Sequence, residues 1–468
     1  MPPAPPHAGG LPLLGALPSF LHDPLATLRH ARTVGDVSRL KLGFIDAVTL
    51  HHAEPIDHVL RARHRNYTKA GPFWSVLRSI LGNGLPVSEG HTWRLHRRMM
   101  QPQFHRQRIA GLANLVIDAI DDHLRWTDVG EGWRTIDVGA RMPHLTMSVA
   151  SAALLGQATS QRRAQVVASE FGYALNHMFL GMVTHRLPRW LPMPGRRRFQ
   201  QSLTTLRREA RALIEERRRQ TEAGDDLLGL LIAATDDQTG QGMTDAQLLD
   251  ETVSLLLAGY ETTATALQWS LALLGQHPEI WGRLREECDA VLGGRRPQAE
   301  DLRCLRYARQ VVQESLRLFP PSWWLPRVAA EDDEIGGYPI PAGTVVAPIM
   351  YTVHRHPDLW AHPERFDPER FEPSRSADRH PMAWCPFGAG PRKCIAQELA
   401  LMEATMTLAI MTQRYDLAFA GHVPRPEPKV TLRPADGVRL RIRHRRPRWQ
   451  HAFVPGHQAA DSSSALAL

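Results

Sequence analysis

The sequence is short of everything that would make it an unusual chain. It has only four cysteines, Cys288, Cys304, Cys385 and Cys394, and no two of them form a CxxC pair. That excludes a disulfide framework and a zinc ribbon, and it suits a reducing, cytoplasmic setting. The stretch MPPAPPHAGGLPLLGALPSF has no basic n-region, and Pro12 and Pro18 break its apolar residues. It is expected to be neither a signal peptide nor a membrane anchor. Apolar runs are short: Thr252–Gly259 falls far below the ~20 residues of a spanning helix, so no membrane span is expected. There is no internal repeat and no strand–GxGxxG–helix unit, hence no flavin or nicotinamide signature.

What is present is 43% hydrophobic and 22% charged residues, enough for a large core and incompatible with wholesale disorder. The formal charge of +8 suits acidic proteins, anionic lipid or nucleic acid without choosing among them. Alternation over Val37–Leu42 and Ala47–Leu50, split by Gly43, predicts a hairpin. From about Pro55 to Leu305 the pattern is mostly helical, with loops at Gly82–Pro86, Leu191–Gly195 and Asp236–Gly242. Two more β patches are expected, over 335–346 and where Val438, Leu440 and Ile442 alternate with Arg439, Arg441 and Arg443. Length alone suggests about three domains at ~150 residues each, but no composition shift marks a linker. The expected fold is therefore mainly α with small β-sheets, one domain over 1–456 followed by a disordered Ser/Ala-rich tail, 457–468.

Two stretches break the rules of good local design. Thr244 and Gln247 form a capping box for a helix that runs to about Gln276. In its middle lies Ala258-Gly259-Tyr260-Glu261-Thr262-Thr263, where the glycine alone costs about 1 kcal/mol against alanine. Such contradictions tend to mark function, although a solvent-facing polar strip remains the plainer alternative. The second is Pro386-Phe387-Gly388-Ala389-Gly390-Pro391-Arg392-Lys393-Cys394, followed by a periodic helix over Glu398–Gln413. Cys394 at a helix start, flanked by cations, suits an anionic ligand or nucleophile; a small apolar cysteine packed at a helix end is the alternative.

Together these residues resemble the cytochrome P-450 (haem-thiolate monooxygenase) family. Phe387-x-x-Gly390-x-Arg392-x-Cys394 is similar to its cysteine-loop signature, with Ala396 in place of the usual last glycine. Ala258–Thr263 looks like its oxygen-activating motif, Glu314-Ser-Leu-Arg317 its ExxR pair, and Phe366–Phe371 its PERF segment. Trp93 and Arg97 match its WxxxR pattern. The five occur in the family's order, and the resemblance covers nearly the whole chain, so a triangular α-rich haem domain of the soluble bacterial type is implied.

The resemblance implies haem b held by the Cys394 thiolate, with Cys385 a structural loop residue. It implies cofactor contacts from Arg392, Trp93, Arg97, Arg327, Phe387, Ala258 and Gly259, and a proton relay through Glu261 and Thr262, with Gly259 letting the helix open. Glu314, Arg317 and Arg370 would form a buried structural network. The family's layout puts substrate against Phe73, Trp74, Leu77, Ile80, Val87, Leu255, Ala258, Trp323, Trp324, Leu325 and Val430, with Met178–Met182 in a mobile lid. These apolar side chains favour a terpenoid, with a fatty acid, steroid or macrolide as alternatives. Electrons would come from a separate ferredoxin or flavodoxin with its reductase, docking where Arg97, Arg98, Arg392 and Lys393 cluster. The basic run Arg443–Arg448 reads as a solvated strand edge, not a nucleic-acid site, and a monomer is expected. The rival readings are a peroxide-driven peroxygenase or an isomerase on the same scaffold, and a non-enzymatic haem- or nucleic-acid-binding protein.

Overall fold

The structure is a computed structural model that describes residues 3–126, 129–156, 161–184, 194–220 and 226–445. The tail, the end of the basic run and residues 191–193 of one expected loop lie outside these residues. Most of the chain is helical, and the sheets are small.

The organising element is the 32-residue helix Asp245–Gln276. At 1.5 Å per residue it is ~48 Å long, enough to cross the whole molecule. Its start is fixed as the sequence predicts: Gln247 donates its N–H to Thr244 Oγ1 at 3.3 Å, and Thr244 N–H donates to Gln247 Oε1 at 2.8 Å. Because it is apolar on most sides, it serves two cores. Leu248, Val253, Leu256 and Tyr260 pack with Trp74, Leu77, Phe171 and Leu228. Leu267, Leu271 and Leu274 pack with Ile117, Leu145, Leu408 and Leu440. The polar Ala258–Thr263 stretch sits between these cores.

The expected hairpin forms as Val37–Leu42 against Ile45–Leu50. It is the edge of a five-stranded sheet in which Val345–Pro348 runs parallel to Ile45–Leu50, and Arg327–Ala329 pairs with Val345–Pro348. Arg327 is thereby delivered from a sheet to the cavity described below. Arg439–His444 is the middle strand of a three-stranded sheet, between Arg134–Asp137 and Tyr415–Phe419. Of the basic run Arg443–Arg448 only residues 443–445 are described, and the β patch expected where Val438, Leu440 and Ile442 alternate with arginines is this strand. Its apolar residues Leu440 and Ile442 are buried while Arg439 and Arg441 are exposed, so only one face is solvated.

Glu314 and Arg317, three apart on the helix Arg306–Leu318, are both fully buried. Arg317 grips both oxygens of Glu314, at 2.6 and 2.8 Å, and also donates to the carbonyls of His354, Pro363 and Arg365. Arg370 approaches Glu314 Oε1 at 3.3 Å, and Asp367 N–H donates to the same oxygen at 3.0 Å. The residues of these two sequence motifs thus meet as one buried charge network tying a helix to the 354–370 segment.

Candidate active site

A cavity of about 380 Å³ lies against the middle of the long helix. Ala258, Gly259, Glu261 and Thr262 open onto it from one side, and Phe387, Arg392 and Cys394 from the other. Helix Gly90–Met100 adds Trp93 and Arg97, and the strand start adds Arg327.

The loop carrying Cys394 is a rigid turn. Cys394 N–H donates to Phe387 O at 2.9 Å, and Gly388 N–H to Cys385 O at 3.0 Å. Gly390 is required: its φ is +62°, and a Cβ there would sit 2.1 Å from the Leu60 carbonyl oxygen. Cys394 lies three residues before the helix Gln397–Arg414, in the loop and not in its first turn. The expected pull of a helix start on the thiol is correspondingly reduced. Burial pushes the Cys394 thiol up, against the Ala396 N–H and the charges of Arg97 and Lys393, which pull it down. Even so, its side chain keeps accessible surface where it meets the cavity.

Cys385 differs in every respect. It is buried away from the cavity, with its sulfur 3.2 Å from Met350 Sδ and 3.3 Å from Met382 O. Burial pushes its thiol up to about 12.

Next to the Cys394 thiol, positive charge accumulates. Arg327 is buried and donates only to the Pro326 and Leu325 carbonyls; burial, then the neighbouring Arg392 charge, lower it to about 10. Arg392 packs 3.9 Å above the Trp93 ring and donates to Ser88 O at 2.7 Å. Arg97 donates to Lys393 O at 2.9 Å. Lys69, which sequence reasoning missed, is buried in the same wall, its ammonium on Pro86 O at 2.5 Å and over Trp74. Glu89 is the carboxylate among them, 2.8 Å from Arg392. Stripping water from several cations around one carboxylate is costly, so this wall fits a ligand carrying two carboxylates. The bare Gly259 backbone and the open Cys394 thiol line the same cavity and fit a flat, sulfur-ligated group such as haem.

The helix does not open at Gly259. It runs without interruption, and Thr262 folds its hydroxyl back onto Ala258 O at 2.7 Å. The glycine serves close approach instead, since a Cβ would meet that of Ala150 at 3.2 Å. Glu261 is buried and accepts a 2.7 Å bond from Thr431 Oγ1. Thr431 was another omission; a lone threonine in a late turn gives no sequence signal.

Of the expected substrate contacts, Phe73, Trp74, Leu77, Leu255, Trp324, Leu325 and Val430 line the cavity, and Val87, Ile80 and Trp323 do not. Val87 and Ile80 are buried in the neighbouring core. Trp323 stacks on Trp324 but turns into the core around Leu25 and Leu28, its indole N–H held by Lys429 O. In the expected lid Met178 is fully buried, while the side chains of residues 179, 180 and 182 lie outside the described set. The expected docking cluster is also mostly committed elsewhere. Arg97 and Arg392 face the cavity and Arg98 pairs with Asp236 at 2.5 Å, leaving Lys393 exposed.

Glu403 lines the same cavity from the helix after Cys394, buried, with Oε1 unpartnered. Burial pushes its carboxyl well above the usual carboxylate range. The folded chain therefore keeps a proton that the unfolded chain releases near ~4.3, and stability falls as pH rises past that value. Glu403→Gln should show a smaller drop in melting temperature with rising pH than the parent chain. Parallel pH curves would contradict this.

Comparison with known proteins decides what such a cavity belongs to. The family profile described as Cytochrome P-450 matches residues 3–440. The chain belongs to the cytochrome P-450 family. It is 38% identical over 430 residues to cyclooctat-9-en-7-ol 5-monooxygenase of Streptomyces melanosporofaciens, covering 91% of this chain and 90% of that one. It is 32% identical over 441 residues to pentalenene oxygenase of Streptomyces avermitilis, covering 94% and 97%. Among solved structures, the cytochrome P-450DA haem domain superposes with a TM-score of 0.87 at 25% identity, covering 96% and 99%. This P-450 is accordingly a haem-thiolate monooxygenase, an oxidoreductase with a hydrophobic substrate and an electron-donating partner. Among the described residues no helix is long and apolar enough to cross a membrane.

Proposed function

We propose that this P-450 inserts one oxygen atom of O2 into a C–H bond of a compact terpenoid, with Cys394 as the haem ligand. The observation that carries this reading is that a thiol, a cationic wall, an acid–alcohol pair and an apolar wall all open onto one cavity. Haem bound there supplies oxygen activation, favoured by its thiolate ligand. The protein's own groups do the rest. Arg97, Arg327 and Arg392, with Trp93 stacked beneath Arg392, orient the propionates. Phe387, Ala258 and Gly259 bound the space on either side. Glu261 and Thr262 serve as the acid and the alcohol of the relay, and the Thr262 hydroxyl must leave Ala258 O to pass a proton on.

Phe73, Trp74, Leu77, Leu255, Trp324, Leu325 and Val430 exclude water and present a rigid, aromatic-rich wall that suits a fused-ring hydrocarbon. The Streptomyces relatives named above, one of them a pentalenene oxygenase, support the terpenoid choice over a fatty acid, steroid or macrolide. Electrons come from a separate ferredoxin or flavodoxin with its reductase, in the cytoplasm, and the enzyme acts as a monomer. The acid–alcohol pair favours this reading over a peroxygenase or isomerase, which need no proton relay.

Thr262→Ala should leave reductant consumption intact while coupled product falls at least about tenfold. Full, coupled turnover in that variant would overturn the relay. A panel of terpenes, fatty acids and steroids, read by the low-to-high-spin shift, should respond to compact terpenes first.

A further inference from the structure

The turn between strands Pro426–Pro428 and Leu432–Pro434 carries two neighbouring side chains with different partners. Val430 faces the cavity, half-buried, where substrate would lie. Thr431 is buried and donates its hydroxyl hydrogen to Glu261 Oε1 at 2.7 Å. The turn is anchored on both sides of this pair. Trp323 Nε1 donates to Lys429 O at 2.9 Å, Trp269 Nε1 donates to Leu432 O at 2.7 Å, and Leu432 N–H donates to Pro321 O at 3.0 Å. Glu261 comes from the long helix, 170 residues earlier in the chain, so this contact and the Trp269–Leu432 bond together tie the turn to that helix.

We propose that Thr431 is a positioning residue for proton delivery, holding the Glu261 carboxyl in a fixed direction, and that substrate pressing on Val430 adjusts that hold. This rests on the reading of Glu261 as the relay acid. A carboxylate on a helix has two free side-chain torsions beyond the first, and a buried hydroxyl at 2.7 Å removes that freedom. With Trp269, Trp323 and Pro321 pinning the flanks, a push on Val430 has little outlet except a small shift of Thr431. Substrate occupancy and the direction of the acid are then linked by a single residue step, so that the acid is aligned for proton delivery when the cavity is filled.

Thr431→Val keeps shape and removes the hydroxyl; Thr431→Ser keeps the hydroxyl. Three quantities decide the matter in the haem-loaded protein with a surrogate reductase: product formed per reductant consumed, the solvent isotope effect, and the substrate dissociation constant from the spin shift. A fourth does not depend on turnover: the infrared band of the Glu261 carboxyl, isolated by subtracting the Glu261→Gln spectrum.

Thr431→Val should lower coupling about tenfold, a loss of the size expected for one hydrogen bond. It should also raise the solvent isotope effect and move the Glu261 band, with the dissociation constant little changed. Thr431→Ser should restore all of these. A Thr431→Val protein that changes only the dissociation constant would make the threonine a pocket-wall residue and overturn the proposal. If Glu261→Gln uncouples while Thr431→Val does not, the relay stands and the positioning role falls. If neither uncouples, the relay itself is wrong.

Discussion

Cys394→Ser should abolish the red-shifted thiolate Soret band of the reduced carbonyl complex, and Cys385→Ser should leave it in place. The two cysteines are nine residues apart and both are held by the same turn, through the bond from Gly388 N–H to Cys385 O and that from Cys394 N–H to Phe387 O. Only Cys394 opens onto the cavity, next to Arg97 and Arg392. Cys385 is enclosed by Met350 and Met382, and His354 Nε2 accepts its backbone N–H, so ligation there would need the turn to be rebuilt. Its buried thiol, pushed up to about 12, is also a poor source of thiolate. The expected effect on the band is complete loss for one variant and a shift of nothing beyond yield for the other. A surviving band in Cys394→Ser, lost in Cys385→Ser, would reverse the assignment of the ligand.

Glu314→Ala should yield no folded, haem-loaded protein, and Arg317→Ala should do the same. Both partners are fully buried, so removing either strands the other's charge, a cost of about 3–5 kcal/mol. That is a large part of the whole stability of a typical protein, about 5–15 kcal/mol. Arg317 is also the donor for three backbone carbonyls, those of His354, Pro363 and Arg365, so Arg317→Lys should fail almost as badly. Arg375→Ala is the control: its partner Asp367 is 3.1 Å away but Arg375 is half exposed, and such pairs contribute under about 1 kcal/mol. Soluble yield and thermal unfolding of the holoprotein measure all four. A well-folded Glu314→Ala protein would show that the network's burial has been overestimated.

Much of this was legible before any coordinates. The long helix and its capping box follow from local rules, because an N-cap hydroxyl and an N3 amide satisfy each other within four residues. The hairpin at Gly43 and the constrained turn before Cys394 are equally local. What escaped notice depends on contacts between distant segments. Thr431 reaches Glu261 across 170 residues, and Lys69 joins Arg327 and Arg392 only after the sheet and the Trp93 helix assemble. Alternation shows that Arg439–His444 is a strand, but not that it is the middle one of three. Trp323 and Trp324 are neighbours in sequence and stacked, yet face different compartments, which apolarity alone does not distinguish. Nor does the sequence show that, of the cations expected at the docking face, Arg97 and Arg392 line the cavity and Arg98 pairs with Asp236.

The most direct test of the whole account is turnover of a compact terpene, chosen by its spin shift, under heavy-isotope dioxygen with a surrogate ferredoxin and reductase. The account predicts an alcohol carrying one heavy oxygen atom, formed with reductant and lost in Cys394→Ser. Product whose oxygen comes from water, or product formed at full rate with peroxide and unaffected by Thr262→Ala, would contradict it.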